Sequence, residues 1–332
     1  MAATYYTGNT LDTTSKEVFS SDIINKIVAQ EIDSKIFTDI FGIFTSKLLD
    51  TGYQVEEIEV GNLTSTDFDP TGAGALTKAN MDFKTLYHKK NRDKTFKATI
   101  SMKQLKTAML SKENLAAAAS AITSELWNST SIEDFEAMKA LLVDICSEQK
   151  AMVICDLNGN GGDMDALTKA IQTLASRMNF PSTQFNFSGY KKEFNTNEDL
   201  VLIIDSATRA RLNVDSLANA FNMDMKKLVQ NIIVIDEMPT ITYTALTTTQ
   251  GLSIAIGETN PIITHKYNAE GEDTVSGSAV AILLNVKAIK RDKISRELDD
   301  QKNAAGSFIN YFLHAEDVLS FSTLKNAIVL VD

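Results

Sequence analysis

From Lys16 to Leu49 the apolar positions Val18, Ile23, Ile24, Ile27, Val28, Ile32, Ile36, Phe37, Ile40 and Phe41 recur at spacings of three and four. That period predicts an amphipathic helix in one or two pieces, ended by Asp50-Thr51-Gly52. The small, polar residues 1–15 before it read as an extended arm. The pattern then changes. Tyr53–Val60 is strand-like, Gly61–Ala79 is rich in turn residues, and Phe96, Ala98, Ile100 and Met102 alternate with Lys97, Thr99 and Ser101. Together these predict a long two-armed β-hairpin with a loose tip.

The helical period returns from Gln104 to Glu148 through Leu105, Ala108, Met109, Leu115, Ile122, Leu126, Phe135, Met138, Leu142 and Ile145. Asn128–Ser131 breaks or bends it. A single helix of ~36 residues measures ~54 Å, a strut rather than an ordinary core helix. After Gly159–Gly162 the pattern becomes mixed: a helix near Asp165–Met178, a buried strand Leu200–Ile204, a helix Ser216–Phe221, and strands Ile232–Ile235 and Leu252–Ile256. An apolar strand Ser278–Val286, a charged turn Lys287–Asp300, a helical or irregular piece around Phe308–His314 and a strand Ala327–Val331 close the chain.

Composition narrows the class. With 332 residues, 44% hydrophobic and 23% charged, the chain is globular and large enough for one large or two ordinary cores. The net charge of -11 argues against non-specific binding to DNA or anionic membrane. The start lacks basic and apolar signal regions, and no long apolar run predicts a membrane span, so a cytoplasmic setting is expected. Cys146 and Cys155 have no CxxC or histidine neighbour and are expected to be buried free thiols.

Candidate chemistry is sparse. Asp156-Leu-Asn158-Gly-Asn160-Gly161 places oxygen donors as a calcium loop does, but Leu167 stands where the closing acid belongs. A polar turn with a helix cap at Asp163 or Asp165 accounts for the same residues. Gly159–Gly162 lacks the residues of a phosphate cradle, and His88, His265 and His314 have no nucleophile or acid pattern around them. Trp127 reads as a core anchor. No catalytic, metal or cofactor site is assigned.

The charges of the hairpin are sorted. Thr51–Pro70 holds five acids and no base; Lys78–Lys97 holds seven bases against Asp82 and Asp93. Glu56, Glu57 and Glu59 on one arm and Lys84, Lys89, Lys90, Arg92 and Lys94 on the other are the candidate contacts, expected to pair within or between subunits and, between subunits, to be the inter-subunit contacts. Their charges would set the register of the hairpin on a neighbouring subunit.

The order of elements, with Glu198–Asp205, Leu212–Asp224, Ile132–Leu142, Arg177–Phe180 and the closing strand Lys325–Val331, resembles the tailed-phage major capsid proteins of the Hong Kong 97 type, those of small podoviruses most. The resemblance implies an α+β fold in five parts. These are an N-terminal arm and helix (1–50), an extended β-hairpin loop (51–102), a peripheral domain with a long spine helix (103–160), an axial domain (161–275) and return strands of the peripheral domain (276–332). It implies a structural subunit, not an enzyme, that assembles with itself into hexamers and pentamers around double-stranded DNA in an icosahedral head. The implied partners are a separate scaffolding protein, a portal and packaged DNA held by weak non-specific contact, with no membrane and no cofactor. Separate scaffolding is expected because no long scaffolding segment precedes the arm, and no immunoglobulin-like domain or lysine–asparagine crosslink is expected. The implied location is the virion, after assembly in the bacterial host cytoplasm. An encapsulin-type nanocompartment shell, which has the same fold and encloses enzymes, is the alternative.

Overall fold

The computed structural model describes residues 36–48, 54–72, 74, 77–101, 112–147, 152–157, 161–214, 229, 231–245, 253–255, 261–265 and 273–332. They fall into two compact units. The larger is drawn from 39–93, 133–295 and 316–332, and the smaller from 36–38, 94–132 and 296–315.

The larger unit is built on an eight-stranded sheet in the order β7-β6-β11-β14-β5-β10-β9, with β8 pairing β11 off this path. The strands are β5 (Val153–Asp156), β6 (Leu200–Asp205), β7 (Asn231–Ile235), β8 (Thr240–Ala245), β9 (Ser253–Ala255), β10 (Pro261–His265), β11 (Asp273–Asn285) and β14 (Ala327–Val331). β14 runs parallel to β5 and antiparallel to β11, which in turn pairs antiparallel with β6. The central strands are apolar at consecutive positions because both faces are covered. Val153, Leu200, Leu202, Ile204, Ala281, Leu283, Ile328 and Leu330 face α2 (Met164–Met178), through its Leu167, Ala170, Ile171, Leu174 and Met178. Asp163 caps that helix, accepting from the backbone N–H of Asp165 and Ala166 at 3.0 and 3.4 Å. Ile154, Val201, Ile203, Ile282, Leu284, Val329 and Val331 pack on the other face with Phe41, Phe44, Met138, Leu142 and Ile145. Each fully buried Leu or Ile in these layers contributes about 1.5–3 kcal/mol.

Met138, Leu142 and Ile145 belong to α1 (Lys112–Ser147), an unbroken helix of 36 residues. Thr130 and Ser131 do not interrupt it, because their hydroxyls donate back to the carbonyls of Leu126 and Trp127 at 3.0 and 3.2 Å. A second sheet has the order β1-β12-β13-β4, with β1 (Thr45–Leu48), β4 (Arg92–Ser101), β12 (Ile289–Asn303) and β13 (Phe308–Phe321). In the smaller unit Thr95 shares a hydrogen bond with His314 at 2.9 Å, Thr99 donates to Asn310 at 2.7 Å, and Lys97 stands 5.4 Å from the centre of the Phe312 ring.

Several sequence expectations are corrected. The described end of the Lys16–Leu49 helical pattern is a 3₁₀ turn, Gly42–Phe44, followed by β1. Phe41 and Phe44 are buried there while Ile40 and Ile43 are exposed, a short apolar anchor and not a helical stripe. Lys287–Asp300 is not a charged turn: all but its first two residues belong to β12, whose adjacent Arg291 and Asp292 are both buried and so break the apolar alternation that marks a strand. Phe308–His314 is the start of β13, with no helical part. Trp127 is 40% exposed and anchors no core. Residues 206–214, given no element from the sequence, form α3 (Ser206–Val214), whereas the expected helix Ser216–Phe221 lies outside the described residues. So do residues 1–35 and the middle of the calcium-like loop, Asn158–Asn160. Both cysteines are buried and free, as expected.

Candidate functional site

The hairpin is shorter than the sequence pattern implied. β2 (Gln54–Val60) pairs antiparallel with β3 (Phe83–Lys89), and the cleanly alternating stretch that looked like its return arm is β4, in the other sheet. The break comes at Asn91 and Arg92. Asn91 exchanges side-chain hydrogen bonds with the backbone of Leu319 at 2.7 and 2.9 Å, and the Arg92 side chain is buried, so the chain is pulled off the hairpin onto β13.

Directly opposed residues of an antiparallel pair share a face. One face of the hairpin therefore carries Gln54, Glu56, Ile58 and Val60 with Lys89, Tyr87, Thr85 and Phe83. The other carries Val55, Glu57 and Glu59 with His88, Leu86 and Lys84. A lone two-stranded hairpin is marginal in water, so tertiary anchors must hold it. They lie on the second face.

Glu57 is the first anchor. Its carboxylate accepts from His88 Nε2 at 3.1 Å and has Lys290 Nζ at 3.5 Å. An ionised carboxylate only accepts, so Nε2 carries a proton, and Nδ1 shares a hydrogen bond with the Ser320 hydroxyl, 2.7 Å away. Burial alone would raise the pKa of Glu57. The bonds from His88 and Ser322 and the charges of Lys290 and Lys325 outweigh it and hold the group at about 2. Glu59 is the second anchor, ion-paired with Lys325 and, at 3.0 Å, with Lys191. Burial opposes its charge, but the two lysines lower its pKa. Lys325 also lies 3.6 Å from Glu193, whose pKa is raised, chiefly by burial. Around the root, Gly61 N–H donates to the Asp82 carbonyl at 2.9 Å and Lys192 N–H to the Asn62 side chain at 2.6 Å. A Cβ at Gly61 would stand 3.2 Å from the Tyr190 hydroxyl, so the close approach requires a small residue.

Where the hairpin ends, a buried ionic hub begins. Arg92 pairs with Asp134 of α1, with Asp317 of β13 at 3.1 Å and with Glu133 at 3.5 Å. Arg291 of β12 pairs with Asp39 and, at 2.8 Å, with the second oxygen of Asp134. The side chains of Arg92, Asp134, Asp317 and Arg291 are all below 10% exposed. One aspartate on the long helix thus ties strands β4 and β12 together.

Of the eight sequence-nominated contacts, Glu57, Glu59, Arg92 and Lys90 form ion pairs within the chain, the last with Asp93 and Glu316 at 2.8 and 3.2 Å, and Glu56 accepts a hydrogen bond from Tyr87. Lys84 stands 5.8 Å from the centre of the Tyr190 ring. Glu56, Lys89 and Lys94 are exposed. Sequence reasoning missed Asp39, Asp134, Arg291, Asp317, Lys325 and Glu193. The hub partners lie from 41 (Arg92 to Glu133) to 252 (Asp39 to Arg291) positions apart, so no local pattern joins them.

The outer face of the hairpin and its loop is open. Ile58, Phe83 and Tyr87 are 56–59% exposed, and Leu63 and Phe68 on the loop are 71% and 89% exposed. Phe68 stands between Asp67 and Asp69, which are also exposed. Apolar side chains grouped this way on a soluble surface mark an interaction site.

A model of the Phi29-like phage major capsid protein family matches residues 6–331. The chain is 25% identical to the major capsid protein of Bacillus phage GA-1, covering 99% of this chain and 64% of that protein. It is 23% identical to the major capsid protein of Bacillus phage B103, covering 98% and 65%. It thus spans about two thirds of the length of these relatives. Its fold matches a chain from the capsid structure of Staphylococcus phage Andhra with a TM-score of 0.70 at 14% identity, over 92% of this chain and 87% of that one. The fold is therefore the mixed α/β fold of tailed-phage capsids of the Hong Kong 97 type.

Proposed function

The chain belongs to the Phi29-like phage major capsid proteins, a structural and non-enzymatic family of virion components, and from that premise we propose that it builds an icosahedral head by assembling with itself into hexamers and pentamers around double-stranded DNA. The observation that supports this reading is the division of the hairpin into two faces. Its inner face is fixed to its own body by Glu57, Glu59 and their partners, while its outer face exposes Ile58, Phe83, Tyr87 and the Phe68 loop. A rigidly rooted, apolar projection suits contact with another copy: little conformational freedom is lost when it docks.

In this reading the exposed charges act between copies. The acidic loop around Phe68 meets basic groups near Lys89 and Lys94 of a neighbour, and many such modest contacts close the shell by symmetry. Arg92 and Lys90 serve the fold of their own subunit instead. A separate scaffolding protein and a portal are the further partners, and DNA is held weakly inside an acidic protein.

The test replaces Phe83 and Phe68 by Ser and, separately, Lys89 and Lys94 by Glu, in the chain expressed with its scaffold. Both sets of variants should keep the circular dichroism of the parent and lose particles in sedimentation. Normal particle yield from both sets would remove the hairpin face from the assembly interface.

A further inference from the structure

At the second hairpin anchor two carboxylates share one ammonium. Lys325 pairs with Glu59 of β2 and lies 3.6 Å from Glu193, and all three side chains are only 12–14% exposed. The sharing is unequal. Glu59 has a lysine on each oxygen, Lys325 on one and Lys191, at 3.0 Å, on the other. Glu193 has the longer contact with Lys325 and the backbone N–H of Asn326, and its Oε2 is buried with no hydrogen-bond partner in the protein.

The two acids also differ in what carries them. Glu193 is fixed to the body, because its backbone exchanges both hydrogen bonds with Ser182 at 3.0 Å. Glu59 rides on the hairpin strand β2, so its hold on Lys325 lasts only while the hairpin is docked. When the hairpin lifts, Lys325 is left to Glu193. A negative charge on Glu193 is therefore least favoured in the docked state, where Glu59 both holds the ammonium and repels a second carboxylate.

The surrounding charges agree with this geometry. Burial, and behind it the charge of Glu59, raise the pKa of Glu193 against the pull of Lys325 and the Asn326 N–H. Burial opposes the charge of Glu59, but Lys325 and Lys191 outweigh it and lower its pKa. Burial also works against the ammonium of Lys325, yet Glu59, Glu193 and Glu57 raise its pKa. Glu57 itself is held by His88 and Lys290. Of the three carboxylates, Glu193 is the one that takes up a proton first as the pH falls.

We propose that docking of the hairpin and proton uptake by Glu193 are coupled through Lys325, so that mild acid fastens the hairpin to its own body. The sign follows from linkage. A group whose pKa is higher docked than free adds its full stabilisation below the free value and loses it as the pH rises through the docked value. Docking should therefore tighten as the pH falls from neutral toward 4.5, the ordinary value for a glutamate. The outer face of the hairpin is then presented most firmly in mild acid.

The test is hydrogen exchange at the backbone amides of β2 and β3 in the purified chain, at about pH 7.5 and about pH 5, each corrected for intrinsic exchange at that pH. Protection in the parent should rise at least about threefold on acidification. Glu193→Gln cannot ionise, so its protection should match the acid value of the parent at both pH values. Glu59→Gln leaves Lys325 to Glu193, so there too the rise should disappear. Four results would each overturn the proposal. They are a flat parent profile, a rise that survives in Glu193→Gln and so belongs to another group such as His88, a Glu193→Gln chain less protected than the parent at about pH 7.5, and a Glu193→Gln chain that does not fold. The last two would make ionised Glu193 an ordinary partner of Lys325.

Discussion

Replacing Arg92 by Met isolates the ionic hub more cleanly than any other single change. In the intact hub two guanidiniums, Arg92 and Arg291, face three aspartates, Asp39, Asp134 and Asp317. Without Arg92, Asp317 loses its 3.1 Å partner, and Asp134 loses one of its two guanidiniums. Asp134 and Asp317 have side chains no more than 4% exposed, so water cannot take over. Breaking a buried pair from one side costs about 3–5 kcal/mol. Asp134→Asn is milder: Arg92 keeps Asp317 and Glu133, Arg291 keeps Asp39, and the amide oxygen still accepts, so the loss should be about 1–2 kcal/mol. Urea unfolding of the unassembled chain, followed by far-ultraviolet circular dichroism, reads both values at unchanged slope. An Arg92→Met variant within about 1 kcal/mol of the parent, or an Asp134→Asn variant that loses more than Arg92→Met, would refute the reasoning.

Three further outcomes follow from the structure. The pKa of Glu57 is depressed from 4.5 to about 2, so its stabilisation is complete above about pH 5 and fades as the pH falls toward 2. The stability gap between the parent and Glu57→Gln should shrink over that window in urea titrations at stepped pH; a gap independent of pH contradicts the ionised anchor. A Cβ at Gly277 would stand 2.5 Å from the Asp332 carbonyl oxygen and 2.6 Å from a Val331 methyl, so Gly277→Ala should lose about 1–3 kcal/mol by the same assay. Burial pushes the Cys146 thiol up to about 12 and that of Cys155 higher still, so an aqueous disulfide reagent at pH 8 should label neither until the chain is denatured.

What the sequence revealed follows from where side-chain periodicity reports burial. β6 and β14 are covered on both faces, so their continuous apolar runs stood out, and α2 showed its eight buried positions on one helical stripe. β12 did not, because beside Ile289 its buried positions are the charged Arg291 and Asp292, on opposite faces, and its last seven residues are exposed. The hairpin was recognised but given the wrong return arm. Phe96, Ala98 and Ile100 alternate cleanly, yet alternation names a strand and not its partner, which the buried Arg92 decides. The sorted charges were visible too, but their division between self-contacts and open surface was not. Glu57 and Glu59 alternate with Glu56 and Ile58, and only the pairing to β3 fixes which of them turn inward. The hub and the Lys325 anchor depend on tertiary contacts between distant segments, for which one sequence carries no signal.

Electron microscopy of the purified chain, alone and with the proposed separate scaffolding protein, tests the central claim most directly. The account predicts closed shells or hexameric capsomers, with closure depending on the scaffold. A stable monomer or small dimer in both preparations would contradict it.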